Sequence, residues 1–188
     1  APAAADPVEV AALAYLARPR GWRQLIEASG AAVRAEADTA VVAELVRQAR
    51  SGIEVGLVTN SLAANDVAAV HSGWRRYRTP LVDAGVAVHE LKRHGRRHGI
   101  AVPFGSSGAS LHTKAYVVDG RRGFVGSFNL DPRSANLNTE MGVFFDDPVL
   151  GQRLAAEYRQ LTDPALSYQV MRDAQQQLVW RDGDDVLH

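Results

Sequence analysis

Six residues of this chain have the types and spacing needed to handle a phosphate group. His112, Lys114 and Asp119, followed by Gly126, Ser127 and Asn129, spell His-x-Lys-x4-Asp-x6-Gly-Ser-x-Asn. With each residue at a few per cent background, a chance match in one chain is on the order of one in ten million, so the pattern calls for a chemical explanation. Side chains two apart on a strand point to the same face, which lets His112 and Lys114 reach one phosphate while Thr113 faces away. A neutral imidazole can attack phosphorus, and its basicity near physiological pH keeps it available without metal activation. Lys114 supplies a compact positive charge for the non-bridging oxygens, where negative charge gathers in the transition state. Asn129 can add an amide donor to the same oxygens, with the Ser127 hydroxyl as a weaker candidate. Gly126 permits close backbone approach.

This pattern is the signature of the phospholipase D superfamily, which the chain resembles over about residues 53–181. Within that span, VTNSLAANDVAAVHSGWRRYRTPLVDAGVAVHELK, GSSGASLHTK and GSFNLDPRSANLNTEMGVFFDDP are similar to the second half of bacterial cardiolipin synthases. The resemblance implies a phosphatidyltransferase that moves a phosphatidyl group from one phospholipid to the alcohol of another, by transesterification through a phosphohistidine on His112. It further implies that Glu140, in LNTEMG, hydrogen-bonds the far ring nitrogen of His112 and fixes its tautomer. Asp119 takes a supporting role at the strand end, where it organises the turn. No metal or other cofactor is implied.

The family reaction uses two such motifs, one His attacking phosphorus and the other protonating the leaving oxygen and later deprotonating the acceptor. No internal repeat is found, so this chain carries one. The second motif is expected either from a missing N-terminal half of a longer enzyme, which the resemblance favours, or from a second copy in a symmetric homodimer. Two other readings stay open: a homodimeric phosphodiesterase or nuclease of the same superfamily, and a non-catalytic half that binds phosphate. One departure keeps the last of these in play. The family usually has a buried strand ahead of one like IEVGLVTN, and here that position reads GAAVRAEADTAVV, where no strand is recognisable.

The elements that must position the motif follow from the apolar periods. Residues 6–17 open with an Asp cap and a Pro at the first helical position, which predicts a short helix. WRQLIEASG suggests another, ending at Gly30. Over residues 35–50, Val41, Val42, Leu45, Val46 and Ala49 recur at helical spacing, and Ser51-Gly52 closes the run. IEVGLVT then reads as a buried strand, residues 67–85 as a helix bent or interrupted around Gly73 and Pro80, and VAVHELK as a strand. The motif falls on a hairpin, with strands over 111–118 and 123–128 and a turn at Asp119-Gly120. Strand TEMGVFF, helix PVLGQRLAAEYRQLT and two short β-like runs, LSYQVMR and QQLVWR, complete the chain. Alternating helix and strand predicts an α/β fold, and the resemblance makes it phospholipase D-like, a mixed or parallel β-sheet flanked by helices on both faces. At 188 residues, 46% hydrophobic, the chain is expected to form one domain over residues 1–188.

The 21 basic and 21 acidic side chains cancel, so no overall field draws the protein to nucleic acid, and a nucleic-acid partner is disfavoured. The absence of Cys removes disulfides, thiolate zinc sites and Cys nucleophiles together. No window has the apolar length of a membrane span, and the opening APAAADP lacks the form of a signal peptide, so a soluble chain is expected, with residues missing upstream of Ala1. A phospholipid substrate implies a cytoplasmic protein in peripheral contact with the inner membrane. The run Lys92, Arg93, Arg96 and Arg97 could meet headgroups or simply be a solvated loop. His94 and His98 have metal-like spacing but no clear third ligand. Ile100, Val102 and Phe104 could touch acyl chains or pack as core, and Trp22, Trp74 and Tyr77 could stack on bases or pack between helices. His71 could line the pocket, though a structural role is expected.

Overall fold

The structure is a computed structural model that describes residues 12–17, 37–64, 68–93, 111, 114–127 and 141–188. Its centre is a run of apolar residues that can satisfy its backbone only by pairing on both sides. Strand β2 (Glu54–Asn60) is buried from Val55 onward. On one side it pairs in parallel with β3 (Ala87–Leu91), and on the other it pairs antiparallel with β1 (Ala12–Ala17). Among the described residues the sheet extends from there to nine strands, with β4 (Lys114–Val118), β5 (Arg122–Gly126), β6 (Gly142–Asp146), β7 (Ser167–Arg172), β8 (Leu178–Asp182) and β9 (Asp185–Leu187). The order across it is β6-β5-β4-β1-β2-β3-β7-β8-β9. Parallel pairs β1–β4 and β2–β3 sit among antiparallel ones, so the sheet is mixed.

Helices cover both faces. On one side, α1 (Ala37–Arg50) and α2 (Ala68–Asp83) pack Val41, Val42 and Leu45 with Trp74, Tyr77 and Leu81 over Val55, Leu57 and Val88. On the other, α3 (Pro148–Leu161) places Tyr158 and Leu161 against Val58, Leu91, Leu111 and Ala115. Full burial of a Leu such as Leu45, Leu57 or Leu81 contributes about 1.5–3 kcal/mol. Helix α1 stops where expected: Gly52 takes a left-handed φ of 85°, and the Ser51 amide and hydroxyl bond back to the last turn. Helix α3 begins at Asp147, whose carboxylate accepts from the amides of Val149 and Leu150, both at 2.8 Å.

Three expectations are corrected. Residues 12–17 form strand β1 rather than part of a helix. ALAYLA is apolar throughout, so its period cannot choose between the two, and pairing with both β2 and β4 decides it. Strand β2 therefore has the neighbour that the family pattern calls for, supplied from ahead of GAAVRAEADTAVV; of that stretch, residues 37–42 belong to α1. Helix α2 runs unbroken through Pro80. Proline removes one bond to the preceding turn, but it lies three residues from the helix end, and Tyr77 and Leu81 on either side are held in the core. The predicted helix at WRQLIEASG lies outside the described residues.

Candidate active site

Lys114 opens β4 and is 5% exposed. It pairs with Gly126, the last residue of β5, and Gly126 pairs with Gly142, the first of β6. These three form a row across one end of three adjacent strands. Both glycines are required by packing. A Cβ on Gly126 would lie 2.6 Å from the Met141 carbonyl oxygen and 2.6 Å from the Phe124 ring, and one on Gly142 would lie 2.2 Å from that ring. Phe124 thus leans over the strand ends, stacked on Tyr116 at 5.8 Å and tilted against Phe144 at 5.0 Å. Just beyond the row, the Ser127 amide donates to the Met141 carbonyl at 2.8 Å, and the Met141 amide donates to the Ser127 hydroxyl at 3.0 Å. In this geometry the Ser127 side chain helps join β5 to β6.

His112, Asn129 and Glu140 lie outside the described residues, but their neighbours in the chain do not. His112 is two residues ahead of Lys114, Asn129 three beyond Gly126, and Glu140 two ahead of Gly142. Asp119 goes elsewhere. It occupies the β4–β5 turn with a φ of 53°, beside Gly120 at 60°, five residues from Lys114. At about 3.3 Å per residue this is the far end of the strand, so Asp119 is brought to the turn and not to Lys114. The turn itself is held by α3, whose Gly151 packs so closely that a Cβ would lie 2.4 Å from the Arg121 nitrogen. Beside it, hydrogen bonds from Arg122 and then Arg121 hold the Asp146 carboxyl below its usual range.

A residue not singled out in the sequence also meets the motif. The Asn60 carboxamide, at the end of β2, donates to the Leu111 carbonyl at 2.9 Å and accepts from the Leu111 amide at 2.7 Å. Leu111 is the residue directly ahead of His112. The only signal in the sequence was an Asn closing an apolar strand.

The family model described as cardiolipin synthase, PLD-like domain, matches residues 24–162. The chain belongs to this phospholipase D-like family. Its match starts ahead of the 53–181 span read from the motifs and includes the GAAVRAEADTAVV stretch. Cardiolipin synthase C of Escherichia coli strain K12 is 42% identical over 145 residues, 75% of this chain and 30% of that protein. Cardiolipin synthase A of Klebsiella pneumoniae is 33% identical over 108 residues, 57% of this chain and 19% of that protein. The chain therefore spans less than a third of the length of these relatives. Among solved structures, a phospholipase D family member, Nuc from Salmonella typhimurium, aligns with a TM-score of 0.49 at 14% identity, over 81% of this chain and 76% of that one.

Other chemistry-bearing side chains of this phospholipase D-like domain are committed to its fold. Lys92 donates to the Pro164 carbonyl at 2.6 Å, pairs with Asp182 and lies 5.1 Å over the Tyr168 ring. Trp74 and Tyr77 are 3% and 7% exposed, which leaves no ring face for a base. His94, Arg96, Arg97, His98, Ile100, Val102, Phe104, Trp22 and the His71 side chain lie outside the described residues. Among the described residues no group of three His, Asp or Glu side chains could hold a metal ion, and no helix is long and apolar enough to cross a membrane.

Proposed function

We propose that this chain is one catalytic half of a phosphatidyltransferase of the cardiolipin synthase type. The observation that carries the reading is the Lys114–Gly126–Gly142 row, which gathers the flanks of all the motif's phosphate-handling residues at one end of the sheet. In this reading the neutral His112 imidazole attacks the phosphorus of a phospholipid donor. The phosphorus–oxygen ester bond breaks, and the leaving alcohol takes a proton from the His of a second motif. That second His then removes the proton of an acceptor alcohol, whose oxygen attacks phosphorus and releases His112. Lys114 and Asn129 hold the non-bridging oxygens through both steps, with Ser127 as a lesser donor. Glu140 holds the His112 tautomer, and Asp119 keeps the hairpin turn. The second motif comes from the remainder of a longer chain or from another copy, and the lipid substrate places the protein at the cytoplasmic side of the inner membrane.

The test is lipid mass spectrometry after incubating the full-length protein that carries this chain with phosphatidylglycerol vesicles. A cardiolipin product is expected that disappears in His112→Ala and falls by on the order of 10²–10³-fold in Lys114→Ala. Phosphatidic acid in its place would assign a hydrolase. No His112-dependent product from phosphatidylglycerol or from a nucleic acid would leave a phosphate-binding half without turnover.

A further inference from the structure

Resting on the reading of His112 as nucleophile, we propose that Asn60 is a positioning residue for it. Its carboxamide clamps the Leu111 main chain and so fixes the point from which the chain delivers His112. Strand β1 separates β2 from β4 as far as Ala12, which pairs with Thr59. One residue further, at Asn60, the side chain of β2 reaches across to Leu111, 51 positions away in sequence. An amide side chain carries a donor and an acceptor in one plane, as a peptide group does. It can therefore serve the Leu111 main chain as a strand neighbour would, on both hydrogen bonds.

The two bonds run in opposite senses, and together they restrict both sliding and pivoting of the Leu111 main chain, where one bond would leave a hinge. Beyond His112 and Thr113, the chain is held again at Lys114 by pairing with Gly126. Both flanks of the His112-Thr113 pair are thus held, Leu111 by Asn60 and Lys114 by β5. The clamp is shielded from water. Asn60 is 7% exposed and Leu111 5%, the latter inside the cluster with Val58, Ala115, Tyr158 and Leu161. A buried carboxamide is costly unless bonded, and an apolar residue could end β2 without that cost. The polar choice is explained by what it holds. A nucleophile displaced by 1 Å can lose about 10²-fold in rate.

The experiment uses the full-length protein with ring-labelled histidine. The His112 signal is identified by its loss in His112→Ala, and phosphodiester turnover is measured alongside. For Asn60→Ala we expect kcat lower by on the order of 10²-fold, KM within about twofold, and a shifted His112 signal, while the other imidazole signals stay in place. Asn60→Asp keeps the acceptor for the Leu111 amide but cannot donate to the carbonyl, and should fall between. A folded Asn60→Ala protein with the wild-type His112 signal and kcat would overturn the proposal, as would a lower melting temperature with both of those unchanged. If Asn60→Ala does not fold, Asn60→Asp decides by the same two readings, and failure of both to fold assigns Asn60 to the core alone. If the wild type shows no His112-dependent turnover, the proposed function fails while the His112 signal still tests the clamp.

Discussion

On the β3–β7–β8 side of the sheet a charged network is sealed from solvent, whereas the β4–β5–β6 side leaves apolar side chains and a strand edge in water. Glu90, 1% exposed, accepts from Trp74 at 2.6 Å and Arg78 at 2.5 Å through one oxygen and from Trp180 at 2.9 Å through the other. The Arg78 guanidinium also lies 5.0 Å over the Trp180 ring. Helix α2, β3 and β8 are thereby joined at a single carboxylate. On the other side, Met141 is 81% exposed, Val143 64% and Phe144 52%, and Val149 and Leu150 in the first turn of α3 are exposed as well. A cleft of about 230 Å³ opens there among Tyr116, Val118, Arg122, Phe144 and Asp146. Successive side chains of a strand face opposite sides, so Val143 and Phe144 leave apolar surface on both faces of β6, the strand beside the motif hairpin. The contrast is between a side whose buried charges join α2, β3 and β8 and a side whose strands leave apolar side chains in water.

The sharpest way to break this contrast is at Glu90. Glu90→Ala takes the carboxylate from a buried guanidinium and from two indole N–H groups, so a loss of about 3–5 kcal/mol is expected in urea denaturation. A double variant, Arg78→Met with Glu90→Met, should recover part of that loss because both buried charges are removed together. A Glu90→Ala protein as stable as wild type would show that the network is incidental. On the open side the expected cost is smaller and arises from crowding. Gly126→Ala must move the Met141 carbonyl and the Gly142 backbone as well as the Phe124 ring, at about 1–3 kcal/mol. Turnover should fall by more than that loss accounts for, since Gly126 stands beside Lys114. Stability and activity falling in step would mean that the glycine row serves packing alone.

These side chains also mark how much could be read from the sequence. Strand β3, the hairpin and helix α3 were legible because each has a period bounded by turn or cap residues, such as Asp147-Pro148 ahead of α3, and β2 because its apolar run follows the helix stop at Ser51-Gly52. Strand β1 was not, because a short apolar run suits either a strand or a helix. The three-residue β9, set up by Gly183 at a φ of 61°, carries too few residues to show a period. The motif was visible because its spacing lies within one hairpin. Asn60 and Glu90 were not, because their partners at Leu111 and Trp180 are 51 and 90 residues away and no local pattern encodes such distances. Lys92 looked like the start of a basic loop for the same reason, its partner Asp182 being 90 residues further on.

The smallest expected effect separates the two sides by acid response. His89, on β3, has its pKa pushed below the ordinary 6.5, chiefly by burial. Its unfolded form takes up a proton more readily than its folded form, so its contribution to stability is complete above pH 6.5 and is lost as the pH falls from there through the lowered folded value. Asp146, on the open side, is held below its ordinary 3.8 by Arg122 and Arg121, so its contribution persists far into acid and is lost only as the pH falls below that value. Melting temperatures of wild type and His89→Gln at pH 7.5 and 5.5 test this directly. Wild type should lose more on acidification than the variant, because only wild type carries the imidazole, while Asp146→Asn should track wild type across that interval. Equal losses in wild type and His89→Gln would mean that His89 is as free to protonate in the fold as in the unfolded chain, and the sealed side would be more open to water than its packing implies.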